Sequence, residues 1–170
     1  VSDSLAGRIS VMELDGLSLR EIYDIDFNRH FVPTDEYISE REKKLTPICG
    51  DIWQIIHRGS YPELYENPER EWVDYYRSYV QTYLERDVHR LVKAKNHLTF
   101  VRFMTAVAAR TGAMLNYANI ADELGVSEVT VKEWVSILEK SGIVYIMKPY
   151  TAGALNRAIK TPKLYFRDTG

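Results

Sequence analysis

The sequence predicts a mainly α fold with a small β wing: a helical linker leading into a winged helix-turn-helix. Three observations predict it. Between Glu69 and Lys93, Trp72, Tyr76, Val80, Tyr83, Leu84, Val88 and Leu91 recur at steps of three and four, the period of one helix face. Ala121, Gly125 and Val131 then place a small residue, a turn former and a β-branched plug at helix-turn-helix spacing. Ile143–Met147, β-branched and aromatic, follows the second helix of that pair as a strand.

The elements can be justified in chain order. Ile9–Leu14 alternates loosely and reads as a short strand before the Asp15-Gly16 turn. Ser18 with Glu21 is a capping box, each side chain bonding a backbone N–H near the other, so a short helix starts there. Pro33-Thr34-Asp35 precedes a charged helix over Glu36–Leu45, which Pro47 stops. Asp51 caps a helix through Arg58, ended by Gly59, and Pro62 and Pro68 mark a turn-rich connector. The long amphipathic helix follows over Glu69–Lys93, with Glu71, Arg77, Glu85 and Arg86 on its polar side. His97–Thr111 forms the next, with Phe100, Phe103, Met104, Val107 and Ala108 inward and Gly112 as its stop. In the helix-turn-helix, Ser127 caps the second helix, and Ile120, Leu124, Trp134 and Leu138 supply core. Pro149–Asn156 reads as a loop, and Ala158–Lys160 and Lys163–Phe166 as a returning strand.

Composition narrows the function classes. The chain has 170 residues, 45% apolar and 27% charged, with a net charge of −2, which excludes a membrane span, a collagen-like chain and wholesale disorder. The single Cys49 excludes an internal disulfide framework and a Cys-rich zinc site, and reads as a small core residue. His30, His57, His89 and His97 show no paired ligand spacing. Asp3, Arg8 and Glu13 interrupt the first apolar run, so it is no signal peptide, and a reducing, cytoplasmic setting is expected. Charge is uneven: 13 basic and 18 acidic residues lie before position 97, and 9 and 6 from there on, so an acidic half of −5 meets a basic half of +3.

A helix-turn-helix can present its second helix to the major groove of duplex DNA. The outward residues here are Ser127, Glu128, Thr130, Lys132 and Glu133. Ser127, Thr130 and Lys132 could contact DNA, with Arg157, Lys160 and Lys163 as a phosphate-binding rim from the wing. Glu128 and Glu133 oppose phosphate, so a second reading stands beside the first: a protein-interaction or interdomain coupling module without nucleic acid. No nucleophile–base or metal constellation appears, so no enzyme is expected in this chain.

Several phrases together resemble a prokaryotic AAA-type ATPase family, in the region of unknown function after its ATPase core. They are Ser4–Arg8 with Leu17–Glu21, Gly59–Leu64, Tyr79–Val88, Ala108–Gly112, Asn116-Tyr117 with Ile120-Ala121, Thr130–Trp134, and Lys160–Gly170. The resemblance implies a multidomain parent with an N-terminal P-loop ATPase and a C-terminal nuclease-like domain. Residues 1–25 would be the end of the ATPase core, 26–96 a helical connector, 97–162 the winged helix-turn-helix, and 163–170 the first strand of the following domain. No Gly is followed by Lys, so the P-loop is absent from these residues. ATP and Mg would belong to the parent, with no cofactor or metal held here, and Arg8 would sit where an arginine could sense nucleotide. Val1 in place of Met and the strand-like run up to Gly170 make the chain read as a middle fragment. The expected partners are duplex DNA, or the parent's ATPase domain or another protein; no membrane is implied.

Overall fold

The computed structural model describes residues 10, 12, 14–44, 50–83, 88, 97–150 and 161–170. Within them the fold is mainly helical with a small antiparallel wing. Five helices form the first half: α1 Leu19–Ile22, α2 Asp35–Glu42, α3 Ile52–Arg58, α4 Pro62–Glu66 and α5 Trp72–Tyr83. Three helices and two strands form the second: α6 His97–Ala108, α7 Tyr117–Leu124, α8 Glu128–Lys140, β1 Val144–Met147 and β2 Lys163–Phe166.

Local chemistry sets the boundaries. Ser18 and Glu21 make the complete capping box on α1, and hydrogen bonding by Ser18 holds the Glu21 carboxyl below its ordinary pKa. Thr34, Asp51, Asn116 and Ser127 each accept a backbone N–H at the start of their helices, which satisfies donors that have no partner inside the helix. Gly125 ends α7 in the left-handed conformation, at φ 67°, and lets α8 begin three residues later.

The second half is one packed unit. Trp134 on α8 meets the rings of Phe100 and Phe103, each 5.3 Å away, both nearly edge-on. Val107, Leu115, Ile120, Val131, Leu138, Val144 and Leu164 complete the buried cluster. From positions before 97, only Tyr83 and Val88 join it among the described residues. The first half buries Phe27, Tyr37 and Leu64 outside that cluster. There the Arg58 guanidinium clamps the connector, donating to the Leu64 carbonyl from Nε at 3.0 Å and to the Pro68 carbonyl from Nη2 at 2.9 Å.

Several expectations need correction. Lys163–Phe166 forms the returning strand of the wing, as one of its two readings had it. It pairs antiparallel with β1, Val144 opposite Phe166 and Met147 opposite Lys163, and buries Leu164 in the helical core. Its other edge is covered by the turn after α6, where Gly112 and Leu115 donate to the Leu164 and Pro162 carbonyls at 2.6 and 2.8 Å. The packing unit therefore continues past the expected boundary at 162. Of the strand expected over Ile9–Leu14, Ser10, Met12 and Leu14 are described, and none is in a strand. Met12 and Leu14 are exposed, so the alternating pattern has no sheet to join among the described residues. On α6, Ala106 is buried and Ala108 exposed, because the helix turns Phe103 and Val107 toward α8 and swings the hundred-and-eighth position outward. The charged α2 stops at Glu42, short of Leu45. Pro62 opens α4 where only turns were expected, since proline's fixed φ suits the first helical position. The amphipathic helix begins at Trp72, and its predicted continuation over 84–93 lies, Val88 apart, outside the described residues, as do Cys49, residues 151–156 of the expected loop and the Ala158–Lys160 part of the returning strand.

Candidate functional site

Two surfaces could carry function: the outer face of α8, and the joint where the two halves meet. On α8, the Ser127 and Thr130 hydroxyls lie 2.8 Å apart, and Ser127 Oγ also accepts the Thr130 N–H at 3.1 Å. Both groups are thus occupied in capping the helix. Lys132 Nζ lies 2.6 Å from Glu128 Oε1 and 5.5 Å from the centre of the Tyr117 ring. An exposed pair of this kind adds little stability, but it neutralises the one cation among the outward residues expected on this helix. Glu128 sits in the first turn, where a carboxylate favours the helix dipole and repels an approaching nucleic acid. Exposed Val129 adds an apolar spot to the same turn.

Lys163 lies on the wing and is not on this helix. It stands opposite Met147 and bridges to Met114, so its surroundings on the outer sheet face are apolar, with Tyr145 on the neighbouring strand also exposed. Arg157, Lys160 and Arg8 lie outside the described residues. The structure thus brings Ser127, Thr130 and Lys132 together on one helix and places Lys163 on a different element.

The joint is built by residues far apart in sequence. The Asp168 carboxylate, just after β2, accepts four hydrogen bonds. Oδ2 takes the Ser60 backbone N–H at 2.7 Å and the Ser60 hydroxyl. Oδ1 takes the Tyr76 hydroxyl at 2.5 Å and the Gly170 N–H at 2.9 Å. The Tyr76 oxygen also lies 3.1 Å from the Arg58 carbonyl, but its single proton goes to the carboxylate. Desolvation and the Asp168 charge together push the Tyr76 hydroxyl far above its ordinary pKa, so it stays a donor. Thr169 Oγ1 donates to the Ile56 carbonyl at 2.6 Å, and Arg167 Nη1 lies 2.8 Å from Asp15 Oδ1. Leu17 N donates to the Ser60 carbonyl at 2.7 Å, which brings the segment before α1 to the same place.

Backbones approach so closely here that three glycines become necessary. A Cβ on Gly59 would collide with the Tyr76 hydroxyl and the Asp168 carboxylate, one on Gly16 with Ser60, and one on Gly170 with the Tyr76 ring. Tyr61 packs beside the joint against Tyr75, Tyr76 and Tyr79, with ring centres 5.2 to 6.0 Å apart. Burial and the Tyr79 hydroxyl raise its pKa well above the ordinary tyrosine range. Adjoining this cluster, a groove of about 610 Å³ runs between the halves, walled by Val80 and Tyr83 on one side and by Met104, Ile143 and Phe166 on the other.

Sequence reasoning missed this site. Ser60 and Asp168 are 108 positions apart, and no local pattern pairs them. The available signal was that both lie in phrases carrying the family resemblance, Gly59–Leu64 and Lys160–Gly170.

Among the described residues, no group of three or more His, Cys, Asp or Glu is placed to hold a metal ion, and no helix is long and apolar enough to cross a membrane. No solved structure matches the chain. Two mycobacterial proteins are similar to it, the uncharacterized protein Rv2008c of Mycobacterium tuberculosis and the uncharacterized protein Mb2031c of Mycobacterium bovis. Each is 28% identical over 173 residues, covering 99% of this chain and 33% of the relative. The chain therefore spans about a third of the length of these relatives. A family model described as a domain of unknown function, DUF8612, matches residues 50–170, which take in Ser60, Tyr76, Asp168 and the whole wing, and the chain belongs to that family.

Proposed function

We propose that this chain is a non-catalytic winged-helix region that couples parts of a larger protein, the parent being an AAA-type ATPase as the sequence phrases imply. The observation that carries this reading is the Asp168 joint. One carboxylate ties the wing to the connector turn and to α5, so displacement of either half bears on the other. Similar proteins about three times as long provide flanking chain on which such a region could act. ATP and Mg would be bound by that flanking chain and not by these residues, and the setting would be cytoplasmic.

A second reading, contact with duplex DNA, is favoured by the helix-turn-helix geometry, with Ser127 and Thr130 at the leading end of α8. The self-paired Lys132 weighs against it. Titration of the chain with duplex DNA at falling salt separates the two. Coupling without DNA contact predicts that Lys132→Ala and Lys163→Ala leave any residual binding unchanged. A steeply salt-dependent affinity that drops about tenfold or more with those substitutions would move the conclusion to DNA.

A further inference from the structure

We infer that Asp168 is the key of a releasable polar clasp that holds the connector turn and α5 against the core of the second half. This deepens the coupling reading, on which it rests, by naming the device that regulates it. Three observations point the same way. First, among the described residues, the apolar core of the second half takes only Tyr83 and Val88 from before position 97. Second, the space between the halves next to the clasp is an unfilled groove of about 610 Å³, where a shared core would be close-packed. Third, the closing contacts are polar: the Ser60 N–H and the Ser60 and Tyr76 hydroxyls donate to Asp168, Thr169 donates to the Ile56 carbonyl and Arg167 pairs with Asp15.

Hydrogen bonds exchange readily with water, while buried apolar surface does not. Opening the clasp therefore returns Ser60, Tyr76 and Asp168 to solvent without dismantling the core of the second half. The closed state in turn depends on the negative charge. Carboxylate hydrogen bonds are stronger than neutral ones, and both carboxylate oxygens are used. An amide at this position has a single acceptor oxygen and cannot hold all four donors.

The test is residue-resolved hydrogen exchange on the full 170-residue chain, comparing Asp168 with Asp168→Asn. The Ser60 amide, which donates to the carboxylate across the joint, should exchange about 10- to 100-fold faster in the variant, while amides of α7 and α8 keep their rates; Gly170, bonded within its own segment, serves as a local reference. Tyr76→Phe, which removes one hydroxyl outside the module core, should accelerate the Ser60 amide by a smaller factor, and reads the clasp if Asp168→Asn does not fold. An unchanged rate at Ser60 would overturn the clasp. So would an equal acceleration throughout α7 and α8, which would make the joint part of one cooperative core. Neither result bears on whether the longer protein depends on this region, so the coupling reading is judged separately.

Discussion

Trp134→Ala is expected to lower the unfolding free energy of the chain by about 3–5 kcal/mol, a large share of what a domain of this size possesses. Trp134 is 3% exposed and closes the angle between α6 and α8, with Phe100 and Phe103 both edge-on to its ring. Truncation removes the largest side chain of the cluster and leaves a hole that neither phenylalanine can fill without leaving its rotamer. Val131 and Leu138, one turn to either side on the same helix face, are fully buried and line the same gap. Chemical denaturation monitored by circular dichroism checks the value. A loss under about 1 kcal/mol would mean that α8 does not organise this core.

Gly59→Ala should cost about 2–4 kcal/mol, combining a strained backbone with loss of the clasp. Gly59 sits at φ 71°, and a methyl group there meets both the Tyr76 hydroxyl and the Asp168 carboxylate. Gly125 provides the control. Its φ of 67° and ψ of 36° place it in the left-handed helical region, and nothing lies within 4 Å of the added atom, so Gly125→Ala should cost only about 1 kcal/mol, whereas Gly59, at ψ −150°, lies in a region that only glycine adopts readily. The difference between the two substitutions combines the joint with the greater backbone strain at Gly59. Equal losses at both positions would show that the close approach around Gly59 contributes nothing.

Much of the fold was legible because its signals are local. The Ser18–Glu21 box, the Asp51 and Ser127 caps, Gly59 and Gly125 as helix stops, and the inward set of Ile120, Ala121, Leu124, Val131, Trp134 and Leu138 all follow from spacing and backbone chemistry. What escaped was non-local. Lys163–Phe166 reads as a returning strand, but its register against Val144–Met147 and its cover by the turn after α6 are set by residues far away in sequence. The candidate site was hidden for the same reason. The expected surface was drawn from charge along α8, where Lys132 was counted as a free cation, yet Glu128 one turn earlier pairs with it. The Asp168 joint needs three segments brought together by the fold, and of its members only Tyr76 had been read as structurally important, as packing surface and not as a hydroxyl donor.

Coupling is tested most directly in the longer parent proposed above, read as an AAA-type ATPase. Nucleotide hydrolysis and oligomeric state would be compared for the intact protein, for deletion of residues 97–170, and for Asp168→Asn. Coupling predicts that the deletion changes the hydrolysis rate or the assembly, and that Asp168→Asn shifts the same quantity part of the way while α7 and α8 stay folded. Identical hydrolysis and assembly in all three proteins would contradict it.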